Sequence, residues 1–215
     1  SLTKSVETIA NGDLETDIVD SSSSREVSNL SNGIIAMKES IRGKINDIEV
    51  INASYERFVP KEFLTLLQKK SIIDVEIGDN SSLEMSVLFS DMRNFTMISE
   101  KLSPQQSFKF LNNYLDKMTP AINDNQGFID KYIGDAIMAL FPKKPDDAVQ
   151  AAIEMNKALK LLNKDKASDP INMGIGIHMG TLVLGTIGKD TRMETTVISD
   201  TVNSSARLES LNKLY

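Results

Sequence analysis

MSVLFSDMRNFT, residues Met85 to Thr96, is an apolar run that stops on an aspartate. Ser86 to Phe89 is apolar and β-prone enough for a buried strand, whereas Asp91, Arg93 and Asn94 cannot continue it, so the chain is expected to turn at the carboxylate. A carboxylate at a strand end is a candidate metal ligand. Phe128 to Phe141, FIDKYIGDAIMALF, repeats the arrangement: two short β-type runs flank Gly134-Asp135, a dipeptide that favours hairpin turns, and Asp135 falls at the tip. Two such aspartates can meet across adjacent strands and hold two divalent ions, a device that stabilises the attacking and leaving oxygens of phosphoryl chemistry. The plain alternative is that each aspartate serves only to form its turn.

Working outward, 215 residues suit one large domain or a domain with an appendage. A formal charge of -6 and the lack of any Lys/Arg run argue against a nucleic-acid surface or a basic membrane patch, so partners are expected to be small molecules or proteins. Without cysteine there is no disulfide and no thiolate chemistry, which fits a reducing, cytoplasmic setting. No run reaches the ~18 apolar residues of a membrane span, and the first residues lack a signal-peptide pattern. A span upstream of Ser1 stays open.

Leu2, Val6 and Ile9 lie at helical spacing, and Asn11-Gly12-Asp13 ends that helix. Leu14 to Ser24 reads as an extended polar connector. From Arg25, Val27, Leu30, Ile34, Met37, Ile41, Ile48, Ile51, Tyr55 and Phe58 fall on three- and four-residue steps interrupted at Lys44, the seam of a dimeric coiled coil. An amphipathic helix packed on its own domain is the alternative. Helix, I-A-N-G-D-L, connector and R-E-V-x-x-L together resemble the HAMP signalling module over about Ser1 to Ile45, which implies a parallel homodimer, a first helix cut short, and a membrane span and sensor upstream in the parent protein.

Phe58 to Lys70 predicts a helix with Pro60 in its first turn and lysines at its end. Ser71 to Asn80 is a connector, so the boundaries are placed at 1–45 for the signalling module, 46–80 for a transducing helix and linker, and 81–215 for the main domain. Ser103-Pro104 starts a helix that Pro120 should kink or break. Pro145 opens a second, with Ala148, Ala151, Ala152 and Met155 on its packing face. Ile171 to Gly188 reads as two strands joined near Met179-Gly180, Glu194 to Ser199 as another strand, and Thr201 to Leu214 as a helix. The order strand, helix, hairpin, helix, strand predicts an α+β, ferredoxin-like sandwich with extra strands and helices.

Four motifs now stand in order: FSDMRNFT from Phe89, DKYIGDAIMA from Asp130, GIHMGxxxGxxG from Gly176 and TVISDTVNxxARLE from Thr196. Together they resemble the catalytic domain of class III nucleotide cyclases over about Leu83 to the end of the chain. The resemblance implies a ferredoxin-like palm and conversion of ATP to 3',5'-cyclic AMP and pyrophosphate at a homodimer interface. It also implies two Mg2+ or Mn2+ ions on Asp91 and Asp135, with the Met92 carbonyl assisting. The amides of Arg93, Asn94, Phe95 and Thr96 would hold the β- and γ-phosphates, and Arg192 would touch the polyphosphate. Lys131 and Thr196 would read the purine edge, a donor for adenine N1 and an acceptor for the 6-amino group, as in the Thr-type bacterial subgroup. Asn203 would orient the ribose, and Arg207, four residues on and on the same helical face, would meet charge building on phosphorus. Asp91 and Asp135 would come from one subunit, and Lys131, Thr196, Asn203 and Arg207 from its partner.

His178, the sole histidine, reads as structural. Ser199 stands where relatives often have glycine, Ser204-Ser205-Ala206 departs from the usual small-residue order, and the family places a further phosphate-binding lysine beyond Tyr215. Two other functions remain open: a signalling domain that binds nucleotide without turnover, and a guanylate cyclase. A signal through the helical seam would act by shifting one subunit against the other.

Overall fold

The computed structural model describes residues 2–15, 25–55, 58–164, 170–189 and 191–213. The chain divides into two compact units, Ser1–Phe58 and Val59–Tyr215. In the first, helix α1 (Leu2–Ala10) ends as its sequence suggests: the Gly12 amide donates to Ile9 O at 2.9 Å and that of Asp13 to Thr8 O at 3.1 Å, a closure that satisfies the last carbonyls. Most of the connector, including Ile18 and Val19, lies outside the described residues. Helix α2 (Arg25–Tyr55) is continuous. Its apolar stripe is largely uncovered: Leu30, Met37, Ile41, Ile48, Ile51 and Tyr55 are exposed, and every residue from Ile41 to Tyr55 is solvent-facing.

The second unit is built on one antiparallel sheet in the order β2-β3-β1-β4-β5. Its strands are β1 (Asn80–Met92), β2 (Phe128–Ile133), β3 (Ala136–Phe141), β4 (Met173–Lys189) and β5 (Arg192–Ile198). Helices α3 (Lys61–Leu66), α4 (Phe95–Ser99), α5 (Pro104–Asn123), α6 (Pro145–Lys164) and α7 (Asp200–Leu211) complete it. The first four strands with α5 and α6 make the expected ferredoxin-like βαββαβ core, and β5, α3 and α7 are the extra elements.

β1 places apolar side chains on both faces in its second half because both faces of the sheet are covered there. Leu88 and Met92 pack with Tyr114, Met118 and Ile122 of α5 and Met155 of α6, while Met85 and Val87 pack with Phe63 and Leu67 at α3. Ser103 caps α5, accepting from the Gln106 amide, and the Gln106 side chain accepts in return from the Ser103 amide. Pro120 does not break this helix, which runs on to Asn123, since the proline falls within its last turn. Helix α3 is shorter than expected. It ends before the lysines, and Lys69 instead pairs with Asp79 at 2.7 Å in the connector to β1.

One expectation fails outright: Ile171 to Gly188 is not two strands but the single strand β4, paired with β1 from Asn80↔Gly185 to Met92↔Met173. Its glycines mark close approach rather than a turn. A Cβ at Gly176 would stand 2.2 Å from the Glu209 amide, so glycine lets α7 lie directly on the strand. Ser205 fastens that contact, its one hydroxyl proton poised between Val87 O at 2.8 Å and Gly176 O at 2.9 Å. Ser205→Ala leaves these buried acceptors short of a donor, and the unfolding free energy, read by urea denaturation, should fall by about 1–3 kcal/mol.

Candidate active site

Asp91 sits near the end of β1, opposite Gly174 of β4, and Asp135 sits at the tip of the β2–β3 hairpin, whose second strand pairs with β1. The sheet thus brings the two carboxylates side by side. Burial pushes the Asp135 carboxyl above the usual carboxylate range, the Asp91 charge and side chain push it further, and the backbone amides of Asp135 and Met92 pull it part of the way back. Like charges this close ask for a cation between them. Both aspartates line a cavity of about 640 Å³ with Arg93, Asn94, Phe95, Thr96, Asn172, Asn212 and Lys213. Met92 also lines it, although the residue is otherwise buried in the core. The donor set is hard oxygen, suited to a hard divalent cation.

The turn after β1 is held on three sides. Asn94 takes the left-handed conformation at φ 61°, which asparagine tolerates, and starts α4. Phe95 stacks on Phe110 of α5 at 6.4 Å between ring centroids. The Arg93 amide donates to Asn172 O at 2.8 Å, so it is not available to a phosphate as the sequence suggested. Its guanidinium turns to α7, donating from Nη2 to Glu209 O at 3.2 Å with Nη1 2.8 Å from Glu209 Oε1. The Nη1–Oε1 approach is off the hydrogen-bond direction, a charge contact rather than an aligned bond. Beneath the site, the Tyr114 hydroxyl donates to Met173 Sδ at 3.1 Å, and burial, then Asp135 and Asp91, push its pKa upward, so it stays protonated.

Asn203 and Arg207 are elsewhere. They share the exposed face of α7 and line a second, open cavity with Ala206, Ser210 and Leu211, whereas Ser205 and Glu209 form the buried face turned toward Asp91. One chain therefore does not converge its aspartates with its Asn203 and Arg207. Lys131 reaches toward the strand that carries Thr196, where its contact is Glu194. Although β2 and β5 are opposite edges of the sheet, Lys131 Nζ reaches to 3.7 Å from Glu194 Oε1, and Thr196 is two residues on along the same side of β5. Asp130, 3.6 Å from Lys131 Nζ, is buried with Oδ2 lacking a hydrogen bond, and that burial raises its pKa. Arg192 is exposed at the start of β5, and His178 is exposed in mid-strand of β4; neither lines either cavity.

Residues 78–214 match the family model described as the adenylate and guanylate cyclase catalytic domain. The chain belongs to this cyclase family. It is 41% identical to an adenylate cyclase of Anabaena cylindrica over 98% of its own length and 44% of the relative's. To the terminal-differentiation-specific adenylate cyclase of Dictyostelium discoideum it is 36% identical, over 91% of its length and 9% of the relative's. The chain thus spans less than half of these curated relatives. Among solved structures, a bacterial light-regulated adenylyl cyclase superposes with a TM-score of 0.72 at 29% identity, covering 83% of this chain and 53% of that one. The guanylyl cyclase Cya2 gives 0.55 at 36% identity over 61% of this chain and 71% of its own. The fold is the palm of these cyclases.

Glu209 and Gly174, which position Arg93, and Asn172, Asn212 and Lys213, which line the cavity, also shape the site, and none announces itself by type. Glu209 could have been suspected from its spacing, four residues from Ser205 on a helix whose buried face, with Thr201, is entirely polar.

Proposed function

We propose that this chain is the catalytic part of an adenylate cyclase, forming 3',5'-cyclic AMP and pyrophosphate from ATP at the interface of a homodimer. The observation that carries the reading is the division of labour on the surface: paired carboxylates in one cavity, Asn203 and Arg207 in another. A second copy related by a two-fold axis would bring the Asn203–Arg207 face of one chain over the Asp91–Asp135 cavity of its partner, making two equivalent sites.

Asp91 and Asp135 would hold two divalent ions, which lower the pKa of the ribose 3'-hydroxyl and neutralise the triphosphate. The free amides in the first turn of α4, at Asn94 to Thr96, would bind the polyphosphate. Asn203 would fix the ribose. Arg207, always charged and planar, would meet the non-bridging oxygens at the α-phosphorus as charge builds there. Lys131 would donate to adenine N1 and Thr196 accept from the 6-amino group. Arg192 would assist at the phosphates. The uncovered stripe of α2 supports a paired helical stalk, with 1–45 as a HAMP-like module and 46–80 as its transducer, feeding the catalytic part at 81–215. In the parent protein this would be the cytoplasmic side of a membrane-anchored receptor.

The guanylyl cyclase Cya2 among the similar structures makes GTP the second reading. Parallel assays with ATP and GTP in Mn2+ separate the two. ATP should be preferred by about 10²-fold or more in kcat/KM, because guanine presents N1–H and an oxygen where this pair expects the reverse. A preference for GTP overturns the substrate assignment, and binding of either without turnover overturns the enzyme.

A further inference from the structure

Arg93 lies between two carboxylates. Nη1 is 2.8 Å from Glu209 Oε1 but also 3.8 Å from Asp91 Oδ2, and the Arg93 and Glu209 side chains are only 16% and 8% exposed. Gly174 supplies the space, since a Cβ there would stand 1.7 Å from Arg93 Nη2. A buried ion pair is a poor device for stability alone, because desolvating both ions consumes most of the attraction. Its placement one residue beyond Met92, on the same side of β1 as Asp91, suggests another use.

We propose that Glu209 is a positioning residue that holds the Arg93 guanidinium off Asp91, keeping that carboxylate open to a divalent ion. The inference rests on the metal reading above. A guanidinium released from Glu209 has Asp91 as the nearest remaining carboxylate, and, being shielded from water, it would compete there with an ion. Lys213 is a weaker rival: its Nζ is 3.6 Å from Asp91 Oδ2, but the side chain is 57% exposed and its charge is well solvated, so it leaves at little cost. Arg93 also ties the end of β1, where Asp91 lies, to α7, the helix that carries Asn203 and Arg207.

The test is Mn2+ binding by titration calorimetry on the full chain without nucleotide, so that turnover plays no part. Glu209→Gln should weaken Mn2+ binding about tenfold, as loss of an outer partner does at metal sites. Gly174→Ala, which keeps both charges but expels the guanidinium from its slot, should act the same way and covers the case in which Glu209→Gln does not fold. Removing the rival in Glu209→Gln/Arg93→Met should restore affinity to within about twofold of wild type. Wild-type binding by Glu209→Gln or by Gly174→Ala, or a loss that persists without Arg93, overturns the inference. Asp91→Ala separates the two levels. If it loses Mn2+ while Glu209→Gln does not, only the role of Glu209 fails. If it binds Mn2+ undiminished, the metal reading fails and takes this inference with it.

Discussion

Asp91→Ala should lower kcat for cyclic AMP formation about a thousandfold, measured with saturating ATP and Mn2+. The size follows from the charge balance: ion ligation contributes several kcal/mol at the transition state, and about 4 kcal/mol is a factor of 10³. Asp135→Ala should do the same. Combining the two should cost little more than either alone, because they serve the same ions. The fold should survive both changes. Asp91 and Asp135 stand at the margin of the sheet, and Asp135 is a partly buried carboxyl whose raised pKa marks an unfavourable charge in the absence of a cation, so melting temperature should hold or rise. Losses below about tenfold in kcat would remove the two-ion account.

Arg207→Ala should lower kcat by about 10²–10³ with little change in KM, the signature of an interaction made at the transition state. More telling is what mixing does. Arg207→Ala and Asp91→Ala chains are each nearly inactive alone, yet a mixed dimer would assemble one intact site, with aspartates from the first chain and Arg207 from the second. Random pairing of equal amounts should recover about a quarter of wild-type activity. The structure supports the idea by turning Arg207 and Glu209 to opposite sides of α7, so that a single chain does not present both cavities to one substrate. No recovery, with dimers shown to exchange, would mean that each site is built from one chain.

How far the sequence was legible depended on whether a residue's role follows from its type. Asp91 and Asp135 could be read because a carboxylate interrupts an apolar strand in each case, and the antiparallel pairing of β1 with β3 then places them together. A buried strand was legible in Ser86 to Phe89, and the structure adds that β1 is covered on both faces, by α5 and α6 on one and by α3 on the other. Strand β4 was misread because glycine has two meanings. At Gly176 and Gly180 it makes room for α7 and for Thr201, which requires a packing partner that no local pattern reveals. Helix α7 hid its inner face for the opposite reason: Thr201, Ser205 and Glu209 are polar, so hydrophobic periodicity points away from the side that is buried. The Arg93 side chain could not be placed at all from sequence, because its partner lies 116 residues away.

The stripe on α2 was legible as a pattern, and its exposure in the structure is what a seam awaiting a second helix would show. If α2 pairs in a stalk as proposed, a site shared between subunits would respond to any displacement of one subunit against the other.

The most direct measurement is diffraction from crystals grown with Mn2+ and a non-cyclisable ATP analogue, with data collected for the manganese anomalous signal. Two anomalous peaks held jointly by Asp91 and Asp135, with Asn203 and Arg207 of a second chain closing over the nucleotide, are the expected result. Manganese bound away from this carboxylate pair, or a nucleotide seated with its phosphates remote from it, would contradict the account.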